Sequence, residues 1–162
     1  THHTFYSEKP RKFKVEPYML KEYQNRWYII AIVRGMNQQR TFAVDRLEGV
    51  ELLTDTFEPT QSDEIEANFR NVIGLVYSEH ELQDVELSFT AFQGNYVRSL
   101  PLHQSQEIII DNDDEFRIKL RIKPNYEFIQ KILMHGNTVR VLKPKWLVDE
   151  IRENLRSSLE NY

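Results

Sequence analysis

One hairpin, between residues 24 and 45, constrains the fold of this chain more than any other feature. Its first half reads RWYIIAIVR from Arg26 to Arg34, a block rich in β-branched and aromatic residues that ends at Gly35 in a turn. Its second half, QRTFAV from Gln39 to Val44, predicts an antiparallel partner strand. The sequence therefore places a two-stranded ribbon at the centre of the first half of the chain.

Both faces of the first strand of this hairpin are apolar. Side chains alternate across a strand, which assigns Trp27 and Ile29 to one face and Tyr28 and Ile30 to the other. A strand that is apolar on both sides belongs inside a sandwich or a small barrel, and not on an open sheet with one wet face. Trp27 is accordingly expected in the core rather than on a ligand surface.

Further short strands complete a predicted five-stranded barrel over residues 1–58. Phe5 and Tyr6 are candidates for its first strand, and the stretch 12–23 alternates until Pro17, which marks a bend or a bulge. The stretch 46–57 is expected to finish the barrel through the apolar residues Leu47, Val50, Leu52 and Phe57. A basic rim is expected at strand ends and turns, from Arg26, Arg34, Arg40 and Arg46.

The pattern changes after the barrel. Residues 59–83 predict a connector, in which Ser62-Asp63-Glu64 is a helix N-cap signature and apolar residues at helical spacing run to Gly74. From residue 84 to 162 the predicted order is β-α-β-β-α-β, the order of a ferredoxin-like fold, and the overall class is α+β. The predicted strands are Val85–Phe92, Glu107–Ile110, Phe116–Ile122 and Thr138–Leu142, with helices at Asn95–Leu100 and Asn125–Met134.

A final helix begins at Pro144. Its apolar residues recur every four positions, at Leu147, Ile151, Leu155 and Leu159. This stripe predicts a docking surface, either inside the chain or on a second copy.

Charge is segregated along the chain, although the net charge is only −4. From Lys9 to Arg46 nine basic residues stand against three acidic ones, whereas from Leu47 to Ser88 there is only Arg70 against eleven acidic residues. The segregation favours a positive surface on the first module, which would attract an anion, and an acidic segment that repels one. The alternative is that the two segments pair with each other in the fold.

Composition narrows the functional classes. The absence of cysteine excludes disulfides, thiolate zinc sites and thiol nucleophiles, and agrees with a cytoplasmic address. No apolar run approaches the roughly 20 residues that a membrane span needs, and no signal-peptide pattern opens the chain. We therefore expect a soluble protein with no membrane partner.

Candidate catalytic and metal-binding residues do not form a known pattern. The acids between Asp111 and Glu115 lack the twelve-residue loop and the central glycine of an EF-hand, so a solvated turn is the simpler interpretation. His103 precedes Ser105, but neither a nucleophile elbow nor a third partner is present. The terminal pair His2 and His3 is interpreted as solvated, and the other histidines lack metal-ligand spacing: His80, His103 and His135. The sequence predicts no enzyme, no metal site and no cofactor.

Three segments of the first half resemble the WYL domain. They are KFKVEPYML at 12–20, RWYI at 26–29 and RTFAVDRL at 40–47, with Ile29 standing where the triplet that names the family has leucine. The resemblance implies an SH3-like or Sm-like barrel of bacterial transcription regulators, usually behind a winged helix-turn-helix, that senses a nucleic acid or nucleotide-like ligand. No helix-turn-helix lies ahead of Thr1. The resemblance therefore implies the regulatory half of a longer protein, which would reach promoter DNA through that further domain.

The second half resembles the WCX domain, an extension that often follows WYL domains. The resemblance is carried by YV at 96–97, LPLHQSQ at 100–106, PNYE at 124–127, ILMHG at 132–136 and VLKP at 141–144. It implies dimerisation or ligand sensing rather than catalysis. The two resemblances together cover nearly the whole chain.

A ligand site is predicted on the barrel from the residue types around the hairpin. Forked guanidinium groups bind phosphate, and nucleobases stack on aromatic faces. By analogy with the WYL family the site is placed at Tyr28, Arg40 and Arg46, with Trp27, Lys21 and Arg34 as further candidates. Asp45 is expected to hold Arg40 or Arg46 in place, or to form a structural ion pair.

The function predicted from these features is the ligand-sensing and dimerisation region of a WYL-type transcription regulator. The expected protein is a homodimer, and its effector is single-stranded nucleic acid or a nucleotide that shifts the population between two arrangements. The alternative is a purely structural dimerisation module, in which the arginines make protein contacts.

Overall fold

The computed structural model describes residues 11–162, and the chain divides into two units at Ala67 and Asn68. Each unit is built on an antiparallel sheet, with three strands in the described part of the first unit and four in the second. The predicted α+β class is therefore confirmed. The candidate strand at Phe5 and Tyr6 and the pair His2 and His3 lie outside the described residues.

The sheet of the first unit is a meander of three strands: β1 (Val15–Tyr23), β2 (Arg26–Val33) and β3 (Gln38–Ala43). The predicted hairpin is formed by β2 and β3, with Tyr28 opposite Ala43. Gln24 and Asn25 both have positive φ, as a tight two-residue turn between β1 and β2 requires. The register of β1 shifts between Pro17 and Met19, which confirms the irregularity predicted at the proline.

Burial in β2 increases from its first residue to its last. Residues 30–33 are buried on both faces of the strand, and Ala31 and Val33 form a small core with Phe42. Trp27, near the start of the strand, is 51% exposed, so the prediction that it lies in the core is wrong. Alternation identifies the face of a residue, but it does not say which end of the strand is covered.

The segment after β3 does not form the strand predicted over residues 46–57. Residues Val44–Arg46 make one turn of 3₁₀ helix, Leu47 makes a single bridge, and residues 48–57 have no regular secondary structure. Gly49 has positive φ, which interrupts an extended path, and Val50 and Leu52 are exposed. These residues do not finish a barrel core as predicted, and the five-stranded closure stays a prediction.

The second unit has the β-α-β-β-α-β order that the sequence predicted, followed by one more helix. Helix α1 (Ser62–Arg70) crosses the division between the units and ends three residues before the predicted stretch does. The further elements are β4 (Gln83–Phe89), α2 (Ala91–Ser99), β5 (Glu107–Asp111), β6 (Phe116–Ile122), α3 (Tyr126–Leu133), β7 (Val139–Lys143) and α4 (Lys145–Leu159). The strands lie in the order β5-β6-β4-β7, and all neighbours are antiparallel.

One face of this second sheet is the core of the unit. The alternate residues of β4 and β6 are almost completely buried and pack against the helices: Val85, Leu87, Phe89, Phe116, Ile118, Leu120 and Ile122 from the strands, and Val97, Phe128, Ile132 and Leu147 from the helices. Of the stripe predicted on α4, Leu147 and Ile151 pack against this core. Leu155 and Leu159 remain exposed, so the stripe docks within the chain only over its first half.

Candidate functional site

The register of the first sheet separates the predicted site residues. Lys21 lies opposite Tyr28, and Tyr28 lies opposite Ala43, so Lys21 and Tyr28 share one face. Arg40 lies opposite Ala31, which is three residues from Tyr28 along β2 and therefore on the other face. The sheet does not bring Tyr28 and Arg40 to one surface.

A group of basic residues lies around Tyr28 where β2 begins. Arg26 is two residues from Tyr28 and shares its face. Its guanidinium lies 3.6 Å from the carboxylate of Asp45, which ties the 3₁₀ helix Val44–Arg46 to this end of β2. Asp45 thus makes an ion pair, with Arg26 as the partner. We refer to Lys21, Arg26, Tyr28 and Arg46 as the Tyr28 patch.

The other three predicted residues lie away from this patch. Trp27 points to the opposite face from Tyr28 by alternation and lies across from Glu22. The Arg40 guanidinium accepts no share in the patch: it donates to Gln38 Oε1 at 3.0 Å and lies 5.2 Å from the centre of the Phe13 ring. Arg34 follows the last residue of β2, about 20 Å along the strand from Tyr28 at roughly 3.3 Å per residue.

Arg34 is the centre of a second charged group at that far end. Its Nε donates to Glu16 Oε1 at 2.8 Å, its Nη1 to Asp55 Oδ2 at 3.0 Å and its Nη2 to the carbonyl oxygen of Thr56 at 3.0 Å. Lys14 Nζ donates to the same carboxylate oxygen of Asp55. We call Lys14, Glu16, Arg34 and Asp55 the Arg34 cluster.

A cavity of about 380 Å³ opens beside the Arg34 cluster, within the first unit. Its apolar lining includes Phe13, Ile29 and Phe42, and all four residues of the Arg34 cluster contribute to it. Phe42 lies opposite Ile29, an even number of residues from Ala31, so the cavity lies on the face opposite Tyr28. Its volume and its mixture of apolar walls with a few charged groups are typical of small-ligand sites.

Two domain families match the sequence in series. The WYL domain matches residues 1–52, and the WCX domain matches residues 81–159. The chain is a WYL domain followed by a WCX domain. The WYL match contains the whole three-stranded sheet and the Tyr28 patch, and the WCX match contains every element of the second sheet except the first turns before β4.

Two solved structures are similar to the WYL–WCX chain. The proteasome accessory factor B/C (PafBC) of Arthrobacter aurescens is 17% identical over 99% of this chain and 24% of that one, with a TM-score of 0.40. A CRISPR Cas-related protein is 13% identical over 97% of this chain and 45% of that one, with a TM-score of 0.49. The WYL–WCX chain thus spans less than half the length of either structure. No curated protein matches it.

Sequence reasoning missed the Arg34 cluster and the cavity of the WYL domain. Lys14 and Asp55 are 41 residues apart, and no local pattern joins them. The available signal was the segregation of charge, because Lys14 and Arg34 belong to the basic segment and Asp55 to the acidic one. The alternative that these segments pair in the fold is realised at Asp55.

The pKa of Asp55 is held below its ordinary value of 3.8, first by the hydrogen bond from the Lys14 ammonium and then by the positive charges of Lys14 and Arg34. The pKa of Arg34 is raised, chiefly by its hydrogen bond with Glu16. Because the pKa of Asp55 is lower in the folded state than in the unfolded one, its contacts stabilise the fold above pH 3.8. They are lost as the pH falls through the folded-state value.

Lys14→Ala is expected to raise the pKa of Asp55 more than Arg34→Ala does, because the Lys14 hydrogen bond is the largest cause of the shift. The measurement is a titration of the Asp55 side-chain carboxyl carbon by NMR in the three proteins. In the wild type the midpoint should lie below 3.8. Equal midpoints in the two variants would contradict the dominance of Lys14.

The WCX domain contains a serine–histidine contact, but its geometry is structural. Ser105 N donates to His103 Nδ1 at 3.1 Å, so Nδ1 accepts and Nε2 carries the proton, which it donates to the carbonyl oxygen of Arg70 at 2.8 Å. The Ser105 hydroxyl accepts from Arg121 N at 2.9 Å. A backbone carbonyl therefore occupies the position of the third catalytic partner, and the contact joins three backbone segments.

Two other kinds of site were sought in the part of the chain that the structure describes. Among residues 11–162, no three histidine, cysteine, aspartate or glutamate side chains are grouped so that they could hold a metal ion. None of the described helices combines the length and the apolar character needed to cross a membrane.

Proposed function

We propose that this WYL–WCX chain is the effector-sensing region of a bacterial transcription regulator, and that single-stranded nucleic acid or a nucleotide binds at the Tyr28 patch. The domain pair supports a regulatory role rather than an enzymatic one. The observation that carries the ligand proposal is the row in which Lys21 and Tyr28 lie opposite each other, beside the 3₁₀ helix that contains Arg46. An aromatic ring offers a stacking surface for a base, and the cations beside it attract the phosphate backbone.

Arg34 and Arg40 are not part of the proposed effector site. Arg34 is engaged by two carboxylates at the far end of the sheet, and Arg40 lies on the other face. The sequence-based site of six residues is therefore reduced to Lys21, Tyr28 and Arg46, and Arg26 is added because it shares the face of Tyr28. This revised site makes a sharper prediction than the original one, since Arg40 becomes a control.

The regulatory mechanism would be a shift between two arrangements of a longer protein. An effector that binds one arrangement more tightly increases its population, and a DNA-binding domain outside this chain would be repositioned on promoter DNA. In this proposal the WYL module covers residues 1–58 as a five-stranded SH3-like barrel, residues 59–83 connect it to the WCX module, and residues 84–162 have the ferredoxin-like fold. The protein would be cytoplasmic and homodimeric.

Tyr28→Ala is expected to weaken the binding of a short single-stranded oligonucleotide about tenfold or more, because base–aromatic stacking contributes about 1–3 kcal/mol per base. Tyr28→Phe keeps the ring and should bind nearly as the wild type does. The measurement is fluorescence anisotropy with labelled DNA and RNA oligonucleotides and with labelled nucleotides, over a series of salt concentrations.

Arg46→Ala should reduce the slope of log affinity against log salt by about 0.7, the value for one phosphate contact with a single strand. Arg40→Ala, on the opposite face, should leave both affinity and slope unchanged. Equal losses in Arg40→Ala and Arg46→Ala would show that the ligand does not distinguish the two faces. Absence of any binding at low salt would sink the sensing proposal.

A structural dimerisation module is the second candidate, and a specific surface of the WCX domain favours it. Helix α2 exposes Phe92, Tyr96 and Leu100 at four-residue spacing, and the edge strand β5 exposes Ile108 and Ile109. Exposed apolar patches of this kind are typical of protein interfaces. Tyr96→Glu, measured by analytical ultracentrifugation, would separate this role from the sensing one.

A further inference from the structure

The cavity beside the Arg34 cluster is not used by the effector site proposed above, because it opens on the other face of the sheet. Its inner wall is made by aromatic and aliphatic residues of the WYL core, among them Phe13, Ile29 and Phe42. Its outer wall includes Val50, Leu52 and Leu53, which belong to the segment without secondary structure and are themselves exposed to solvent. The space between them is apolar on two sides and charged at one end.

The charged end already holds a carboxylate. Asp55 is seated on Lys14 and Arg34 together, through one oxygen that accepts from both cations. A carboxylate that bridges an ammonium and a guanidinium is a strong, directional arrangement in proteins. The seat is thus built for one carboxylate, and its present occupant comes from the flexible part of the polypeptide in the sense that residues 48–57 have no regular hydrogen-bonded structure.

The charges of the cluster show which ligand would fit if Asp55 left the seat. Lys14 and Arg34 carry two positive charges, and Glu16 and Asp55 carry two negative ones. Without Asp55, the remaining three residues carry one net positive charge. That charge matches one carboxylate head group, and the adjoining apolar walls match an uncharged apolar body.

We propose that this cavity is a second binding site of the WYL domain, which takes an amphipathic carboxylate whose head group replaces Asp55 on Lys14 and Arg34. Asp55 then acts as an internal competitor. Its attachment to the same chain gives it a high effective concentration at the seat, so the ligand binds with an apparent affinity reduced by the fraction of molecules in which the seat is occupied. Binding releases residues 48–57 from Arg34, which otherwise holds the Thr56 carbonyl as well.

The experiment uses decanoate as the probe and 1-decanol as its uncharged counterpart, both below the concentration at which decanoate forms micelles. Binding to the full chain is followed by methyl NMR, with Ile29 and Leu47 as reporters because both line the cavity. Decanoate is expected to shift these methyl signals at neutral pH. Decanol should bind at least about tenfold more weakly, because it leaves the two cations without a new partner.

Two substitutions separate a carboxylate seat from a simple apolar crevice. Asp55→Ala removes the competitor and should tighten decanoate binding by about tenfold. Asp45→Ala is the matched control, because Asp45 is also a half-exposed aspartate of this domain paired with an arginine, but it lies at the other end of β2. It should leave decanoate binding unchanged.

Arg34→Ala should abolish the preference for decanoate over decanol, with the methyl spectrum otherwise retained. If that variant does not fold, Lys14→Ala provides the same comparison. Equal binding of decanoate and decanol to the wild type, or no gain in affinity in Asp55→Ala, would overturn the proposal. The outcome is independent of the effector site, since Tyr28→Ala should leave decanoate binding intact and Arg34→Ala should leave oligonucleotide binding intact.

Discussion

Gly94→Ala is expected to destabilise the WCX domain by about 3 kcal/mol, although alanine is the better helix former. Gly94 lies in the middle of α2, where the helix crosses β6. A Cβ atom at this position would lie 2.6 Å from Phe116 Cγ and closer still to Phe116 Cβ. Phe116 is 1% exposed in the core, so its Cβ cannot move aside without shifting the strand.

The measurement is denaturant unfolding followed by the fluorescence of Trp146, which packs against the WCX core, in a Trp27→Phe background. This background restricts the signal to the WCX domain. Asn95→Ala, at the neighbouring exposed position of α2, is the control and should change the free energy of unfolding by no more than about 0.5 kcal/mol. A loss below about 1 kcal/mol in Gly94→Ala would mean that helix and sheet are further apart than described.

Asn125→Ala is expected to cost about 3 kcal/mol, since one side chain satisfies three backbone groups. Asn125 is 5% exposed and caps α3 by accepting from Phe128 N at 2.8 Å. Its Nδ2 donates to the carbonyl oxygens of Ile73 and Val76, each at 2.9 Å. Loss of a cap costs about 1 kcal/mol, and each buried group left without a partner costs about 1–3 kcal/mol more.

Thr90→Ala provides the comparison for this second substitution. Thr90 also caps a helix, α2, by accepting from Gln93 N, but it is exposed and bonds no second segment. Its loss should cost about 1 kcal/mol. Asn125→Asp keeps the accepting oxygen but removes both donated hydrogen bonds, so it should remain strongly destabilised. If Asn125→Ala cost no more than Thr90→Ala, the contacts with residues 73–76 would contribute nothing to stability.

The two proposed sites of the WYL domain place different demands on one small sheet. The Tyr28 patch uses side chains of one face near the start of β2, and the cavity uses the other face near its end. Since the two faces of a strand alternate residue by residue, a single hairpin can carry both sites without a shared side chain. The substitutions proposed for each site are therefore informative controls for the other.

Local pattern was sufficient wherever the answer depends on neighbouring residues. The alternation of FRIKLRI predicts β6 to its exact bounds, Phe116–Ile122, because one face of that strand is buried and the other carries paired charges. Asn125 before an apolar stripe marks the start of α3 for the same local reason. At α2 the prediction began at Asn95, four residues late, because the Thr90 cap was not recognised and Gly94 weakens the helical signal.

What the sequence by itself determined is the α+β class, the central hairpin, the order of elements in the second half and the membership in the WYL and WCX families. Tertiary structure alone decided that Tyr28 and Arg40 lie on opposite faces, that Trp27 is exposed, and that Asp55 closes onto Lys14 and Arg34. The physical reason is the range of the interactions. Periodicity and capping act over a few residues, whereas strand register, helix–sheet distance and ion pairs between distant segments are set only when the chain has closed on itself.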